Sequence, residues 1–531
     1  MISPQTVSLL TRDRTRLDAD VYYPSGSGPF PVLLMRQPYG RAIASTVVYA
    51  HPSWYASQGY IVVIQDVRGR GSSGGEFQLF AQETADAEET IAWAASLPKS
   101  NGKVGMYGFS YQGMTQLYAA ASGHPALKTI CPAMVGLDLY ADWAYEGGAF
   151  LWQNNLAWAL QIATETAKLK DDPTAYQALV QAAQQLPLEA PVPEVLATHA
   201  ADSFYHDWLR CDRPGPYWQQ LTPDLSGVDL PMLHIGGWFD PYLRGNLRLY
   251  HQMTQQSQQP QHLHIAPWPH IPWGRCLGNQ DYGPGAANTV DTLQIHWFNY
   301  HLKGIDHQFP PAVQLFEMGS NRWRGWAKFP EPHPVVYFLA SHGLAATDEA
   351  SGQLTLRPPT SNHTDVFVHD PWRPVPALGG HAGFSVGQAD RTALDCRSDI
   401  LTYTSTPLDH ALHLTGEIVV ELAITADQPS FDLCAVFSTI NPAGRVISIC
   451  QGYRRIDTIQ NLHQVRLQAT CVRIPPGDRL RLSISAACFP AYALNCGTGK
   501  PFGESRAQDR RVITLWVNSD GASRVILPMV N

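Results

Sequence analysis

Residues 104–113 read Val-Gly-Met-Tyr-Gly-Phe-Ser-Tyr-Gln-Gly, a short apolar strand driven through a serine between glycines at 108 and 113 and on into a helix. A strand that reverses into a helix over so few residues strains and exposes the residue at the apex, and missing side chains on its flanks let the two elements cross closely. The pattern predicts a nucleophile at Ser110, with an ordinary strand-to-helix turn as the bland alternative. The usual spelling places the second glycine at position 112, where this chain has Gln. Company elsewhere in the chain has to decide between the two.

A serine hydroxyl is a weak nucleophile until a base takes its proton, and that base needs a carboxylate to orient it and balance its charge. In an elbow of this kind the chain order is serine, acid, histidine. Pro231-Met232-Leu233-His234-Ile235 reads as a buried strand that breaks at Gly236-Gly237 and delivers Trp238-Phe239-Asp240. Asp240 is the acid candidate; otherwise it is a turn opener before Pro241. His262 to Ala266 is a further strand, punctuated by Pro267-Trp268-Pro269 before His270. His270 is the base candidate; otherwise it is a loop residue among the chain's 20 histidines. All three stand just past the C-terminal ends of expected strands, where chemistry collects in open parallel sheets.

Acyl transfer also needs donors for the developing oxyanion. The backbone N–H of Tyr111, next after the nucleophile, is one by the geometry of the elbow. Val32-Leu33-Leu34-Met35-Arg36 is a strand that ends in the rigid turn Gln37-Pro38-Tyr39-Gly40. The Tyr39 hydroxyl is the other candidate, against a tyrosine that merely caps the core edge.

Read together, these motifs resemble the bacterial cocaine esterase and glutaryl-acylase type of hydrolase, relatives of the X-Pro dipeptidyl-peptidases and α-amino-acid ester hydrolases. Gly108-Phe109-Ser110-Tyr111-Gln112-Gly113 matches that family's Gly-x-Ser-Tyr-x-Gly, and Asp66-Val67-Arg68-Gly69-Arg70-Gly71-Ser72-Ser73-Gly74 is also typical of it. Gly237-Trp238-Phe239-Asp240 is similar to its acid loop and Ala266-Pro267-Trp268-Pro269-His270 to its histidine loop. Gln37-Pro38-Tyr39 matches the loop whose tyrosine hydroxyl serves the oxyanion. The resemblance runs from about Val7 to the C-terminus. It implies an α/β-hydrolase core with a helical cap insertion and a C-terminal all-β jelly roll, and a Ser-His-Asp enzyme that cleaves an ester or amide of a small carboxylic acid. X-Pro dipeptidyl-peptidase-type or glutaryl-acylase-type amide hydrolysis is the alternative. The α-amino-acid ester hydrolases carry acidic residues just after the acid, whereas Asp240 is followed by Pro241-Tyr242-Leu243-Arg244, which disfavours that specificity.

The chain's texture divides it in the same way. Residues 1–137 alternate strands and helices, with strands expected near 17–23, 31–36, 60–65, 104–107 and 127–131, the signature of a mostly parallel sheet. Residues 138–225 are rich in helix formers and read as a helical insertion placed to roof the serine. The core resumes over 226–305 and ends in an amphipathic helix from Thr292 to Leu302. Residues 306–531 show short alternating runs between Gly, Pro and Asp turns, an all-β pattern, and the Pro-rich stretch from Leu354 to Pro376 reads as a surface crossing. Aromatic residues crowd the motifs. Trp152, Trp158, Trp238, Phe239 and Trp268 are the expected lining of an apolar acyl pocket, with part of that set in the core.

With 37 Lys plus Arg against 45 Asp plus Glu, the net charge is -8, which argues against a nucleic-acid surface. No apolar run approaches the roughly 20 residues that span a bilayer, and no basic segment followed by an apolar one opens the chain. A cytoplasmic enzyme acting on a small-molecule ester or amide is expected, with no membrane or nucleic-acid partner, and a homodimer is permitted. The 9 cysteines are irregularly spaced and read as core hydrophobes, Cys434 and Cys450 above all, with a C-terminal disulfide left open. Gly69-Arg70-Gly71-Ser72-Ser73-Gly74 mimics a dinucleotide fingerprint, but the next strand offers no acid for a ribose, so the glycines read as a turn. His262 and His264 alternate on one strand without a neighbouring carboxylate or cysteine. No metal and no cofactor are expected. A catalytically silent binding protein is the rival from another class.

Overall fold

A computed structural model describes residues 2–42, 46–186, 193–383, 386–458 and 460–530. Ten strands form the first sheet: β1 (Gln5–Leu10), β2 (Arg16–Tyr22), β3 (Phe30–Gln37), β4 (Ile61–Asp66), β5 (Ser100–Phe109), β6 (Leu127–Ala133), β7 (Met232–Phe239), β8 (Gln261–Pro269), β9 (Val313–Glu317) and β10 (Arg322–Trp326). Their spatial order is β1-β2-β4-β3-β5-β6-β7-β8-β9-β10. The pairs from β4 through β9 are parallel, and β1, β2 and β10 run antiparallel at the edges. Central strands in such a sheet are covered on both faces and therefore read as unbroken apolar runs. In β3, Val32 and Leu34 enter one core while Leu33 and Met35 enter another.

Helices α1 (Pro52–Ser57), α2 (Glu83–Ala95) and α3 (Tyr111–Ala121) lie in the connections of the first half. Between β6 and β7 the chain forms a π-helical turn at Leu139–Ala144 and a small hairpin pairing Tyr145–Glu146 with Ala149–Phe150. Five helices follow: α4 (Trp152–Leu169), α5 (Pro173–Gln184), α6 (Glu194–His199), α7 (Phe204–Arg210) and α8 (Pro216–Leu221). Their apolar faces join the same core as α2 and α3, so the insertion roofs the face of the sheet on which α3 lies. Two further helices, α9 (Leu243–Gln256) and α10 (Val290–Lys303), complete the first half. The expected helix over Thr292–Leu302 is α10, stopped by Gly304 in the left-handed conformation with φ 69°.

Apart from a two-stranded ribbon that pairs Cys276–Leu277 with Gln280–Asp281, the remaining strands build an all-β domain from an 11-stranded sheet and a 3-stranded sheet. Two features depart from the sequence reading. Strands β9 and β10 follow residue 306 yet extend the first sheet, because β9 pairs in parallel with β8. The stretch from Leu354 to Pro376 is not simply a crossing: Thr364–His369 is a strand that pairs with Ile513–Asn518 and alternates exposed and buried residues. Its prolines lie outside those six residues, so the ladder can form. All 9 cysteines are free, with Cys434 and Cys450 buried in strands. No helix among the described residues is long and apolar enough to cross a membrane.

Candidate active site

Ser110 stands between β5 and α3 with φ 59° and ψ -128°, a backbone region costly for a residue with a side chain. Its N–H donates to Ala133 O at 2.9 Å, tying the apex to β6. A Cβ on Gly113 would stand 2.4 Å from Val135 Cγ1 and 2.7 Å from Ala133 O, so helix and strand reach this approach only with glycine there. Gln112 fits the bend, its Oε1 accepting from the Phe109 N–H at 3.4 Å. The adjacent Gln116 stitches α3 to the sheet, donating to Gly108 O at 3.0 Å and accepting from Cys131 N–H at 2.9 Å.

Asp240 and His270 follow β7 and β8, whose parallel pairing reaches Phe239 opposite Pro269. Gly237 permits this, since a Cβ there would meet Trp268 O at 2.2 Å. The two side chains meet, His270 Nδ1 lying 2.7 Å from Asp240 Oδ1. Asp240 is fully buried, while the His270 side chain is 27% exposed, as a base that must reach a substrate requires. The imidazole packs at 5.0 Å edge-on to Tyr242 and at 5.5 Å against Phe109, the residue before the serine. His270 thus touches Asp240 on one side and Phe109, the residue before Ser110, on another.

Tyr39 sits beyond the end of β3, and its hydroxyl accepts from Trp158 Nε1 at 3.1 Å. Burial pushes the phenol up to about 12, and the Trp158 hydrogen bond and the Arg70 charge work the other way, so it stays a protonated donor at neutral pH. The Tyr111 side chain turns away from the site. Its ring stacks on Phe80 at 4.6 Å and its hydroxyl donates to Glu83 Oε1 at 2.6 Å, with Arg36 Nη1 on the other carboxylate oxygen at 2.6 Å. Burial, reinforced by the Glu83 charge, keeps that hydroxyl protonated. Only the backbone N–H of Tyr111, in the first turn of α3 where helical partners are lacking, is left for the site.

The five aromatic residues expected to line a pocket do not lie together. Trp158 reaches the Tyr39 hydroxyl, and its ring lies 5.5 Å from Trp143 and 6.3 Å from Phe80. Trp152 packs instead on Phe489 and Phe502 of the β domain at 5.5 and 5.7 Å. Trp238 donates to Phe316 O at 2.8 Å and Phe239 faces Tyr282, both in the core shared with the β domain. Trp268 stacks on Trp273 at 5.4 Å and donates to Ala286 O, on the opposite face of the sheet. All four are buried packing residues. Tertiary packing sets where these rings go, a direction that one-dimensional proximity to a motif does not encode. In their place, Tyr242 and Trp143 stack at 4.2 Å and bridge His270 to Trp158. His262 and His264 pack on aromatic rings, the latter stacked on Trp323 at 4.2 Å.

Two supports had little or no sequence signal. Gln468 of the β domain donates from Nε2 to the carbonyls of Trp238 and Asp240 at 3.0 and 2.9 Å. Arg244, four residues beyond Asp240, pairs with the buried Glu146 of the cap hairpin at 2.8 Å, and Glu146 also meets His381 at 2.8 Å and Tyr492 at 2.6 Å. Cap, acid loop and β domain thus converge on one carboxylate.

Comparison with known proteins agrees with this architecture. Residues 13–272 match the X-Pro dipeptidyl-peptidase (S15) family, and residues 307–515 match the X-Pro dipeptidyl-peptidase C-terminal non-catalytic domain. The cocaine esterase of Rhodococcus sp. (strain MB1 Bresler) is 30% identical over 98% of this chain and 97% of its own length. An aminopeptidase from a marine sediment Thaumarchaeota archaeon superposes with TM-score 0.82 at 20% identity, covering 100% of this chain and 97% of that one. An α-amino acid ester hydrolase superposes with TM-score 0.81 at 21% identity, covering 99% and 96%. A strained serine at a strand-to-helix elbow, a buried aspartate on a histidine and relatedness along the whole length agree, and the chain belongs to the cocaine esterase and X-Pro dipeptidyl-peptidase (S15) family of serine hydrolases.

Proposed function

We propose that this serine hydrolase cleaves its ester or amide through an acyl-enzyme in which Ser110, His270 and Asp240 form the triad. The observation that carries the assignment is the 2.7 Å contact of His270 Nδ1 with buried Asp240 Oδ1, which leaves Nε2 as the free nitrogen of the base. Nε2 takes the Ser110 proton as Oγ attacks the substrate carbonyl. The resulting oxyanion is held by the Tyr39 hydroxyl and the Tyr111 N–H. His270 then protonates the leaving alcohol or amine, and water repeats the sequence to release the acid. Trp158, Trp143 and Tyr242 enclose the acyl group on the cap side. The 9 free cysteines fit a reducing compartment, and the proposed location is the cytoplasm.

The test is turnover of aryl acetates, butyrates and benzoates beside Gly-Pro-anilide and glutaryl-anilide, in wild type and Ser110→Ala. The expected result is ester turnover that falls by about six decades in the variant. Turnover untouched by the substitution overturns the nucleophile, and anilide cleavage without ester cleavage reassigns the substrate to the amide class.

A further inference from the structure

The run Asp66-Val67-Arg68-Gly69-Arg70-Gly71-Ser72-Ser73-Gly74 begins at the last residue of β4, and no step of the proposed reaction uses it. Its first residue is a fully buried carboxylate. Such a group is costly in the interior unless donors take up its oxygens, and here the donors come chiefly from one turn. The parallel pairing of β3 with β4 sets Gln37 beside Asp66. Asp66 Oδ1 accepts from Gln37 Nε2 at 3.0 Å and from the Arg41 N–H at 2.8 Å. Its Oδ2 accepts from the Arg41 guanidinium at 2.5 Å. Gln37 in turn accepts on Oε1 from the Tyr39 N–H at 2.9 Å. One carboxylate therefore fastens both ends of the turn 37–41, and Tyr39 is the middle residue of that turn.

The clamp is itself held. Gln37 is fully buried. Arg41 Nε lies 3.0 Å from Asp20 Oδ1, and Arg41 Nη1 donates to Ser72 Oγ at 2.9 Å. Gly71 has φ 56°, and a Cβ there would stand 2.0 Å from Asp66 Oδ2, so the chain after β4 folds over the carboxylate only with glycine at that position.

The consequence for the site lies in the phenol. A tyrosine side chain turns about two bonds only, so its hydroxyl goes where the backbone is held. From the cap side, Trp158 Nε1 donates to that hydroxyl at 3.1 Å; from the sheet side, the backbone that carries it is fastened to Asp66. An oxyanion donor is effective because it is already in place when charge develops, and a displacement of about 1 Å can cost about 10²-fold in rate.

We propose that Asp66 is the positioning residue of the Tyr39 hydroxyl, acting through Gln37 and Arg41. The effect on turnover rests on the assignment of Tyr39 to the oxyanion; the placement of the hydroxyl does not.

The experiment has two readouts on Asp66→Ala, Asp66→Asn and Gln37→Leu. The first is steady-state hydrolysis of an aryl acetate, each substitution being made in wild type and in Tyr39→Phe. In wild type, Asp66→Ala should lower kcat about 10- to 100-fold with KM changed less than about threefold. Asp66→Asn, which keeps an acceptor oxygen for the turn, should recover part of that loss. In Tyr39→Phe, where no hydroxyl remains to be placed, the same substitutions should cost little. An unchanged kcat, a loss carried by KM, or an equal loss in both backgrounds overturns the proposal, and Gln37→Leu decides in the same way if Asp66→Ala fails to fold. The second readout is the indole N–H NMR resonance of Trp158, identified by its absence in Trp158→Phe. It reports the bond to the Tyr39 hydroxyl without reference to activity, and it should move in Asp66→Ala and Gln37→Leu; an unmoved resonance overturns the proposal. Full turnover by Tyr39→Phe would count against the oxyanion assignment, and the resonance alone would then decide whether Asp66 places the hydroxyl.

Discussion

The side-chain amide of Gln468 donates to the carbonyl oxygen of Asp240 at 2.9 Å, so the β domain holds the backbone of the residue that orients His270. The same amide also reaches Trp238 O, two residues earlier. A fully buried donor with two acceptors on one loop fixes that loop more firmly than a surface contact would.

Gln468→Ala leaves both carbonyls without this donor. Stability should fall by about 1–3 kcal/mol, and kcat should fall while KM changes less, because the Asp240 loop loosens and the acyl pocket does not. Urea unfolding and steady-state kinetics check this. A variant with full kcat would mean that the acid loop holds its own shape.

Ser110 carries positive φ with a side chain, so relief of strain should be measurable apart from catalysis. Ser110→Gly and Ser110→Ala should be equally inactive, yet the glycine variant should be the more stable by about 1–3 kcal/mol, less the extra entropy of glycine in the unfolded chain. Thermal melts of the pair decide it; an alanine variant as stable as the glycine one contradicts the strain.

Tyr39→Phe removes the proposed oxyanion hydroxyl and should slow turnover about 10²–10³-fold. Trp158→Phe keeps a ring but removes the indole N–H that bonds that hydroxyl. Loss of one such hydrogen bond, about 1 kcal/mol, should slow turnover several-fold and raise the Tyr39 pKa further. Parallel kinetics of the two variants test the order, and a larger effect from Trp158→Phe than from Tyr39→Phe would reverse the assignment.

Glu146 ties the stability of the domain junction to pH. Burial acts to raise its pKa, but the Arg244 and His381 charges and the hydrogen bonds from His381 and Tyr492 outweigh it and hold the carboxyl at about 2, below its ordinary 4.5. A depressed folded-state pKa contributes stability that is fully present above about pH 4.5 and is lost as pH falls toward 2, of the order of about 3 kcal/mol in all. Glu146→Gln should therefore be less stable than wild type at pH 6, with a gap that narrows between pH 4.5 and 3. Denaturant unfolding across that range checks the slope; a gap constant with pH would mean that the carboxylate is not ionised in the fold.

The sequence by itself determined the elements and the site candidates with local signatures. Apolar runs fixed the central strands, because residues covered on both faces must all be apolar. The glycines at 108 and 113 mark close approaches that no side chain would fit, so the elbow was legible as a string, whereas β7 runs on to Phe239 through Gly236-Gly237, where the sequence reads as a break. The order Ser110, Asp240, His270 was legible because each follows a strand. What the tertiary structure decided was direction and long-range company. Trp238, Phe239 and Trp268 lie beside motifs in the chain but pack into other cores, and Trp152 packs on Phe489 and Phe502 of the β domain, because side-chain direction is settled by packing. Strands β9 and β10 joined the first sheet because an edge offered β9 a parallel partner, which composition cannot show. Gln468, 228 residues from Asp240, and Glu146, which meets Arg244, His381 and Tyr492, acquire their roles only when distant segments close together. Local chemistry is written in neighbouring residues; which buried polar group meets which partner is set by the packing of the whole chain.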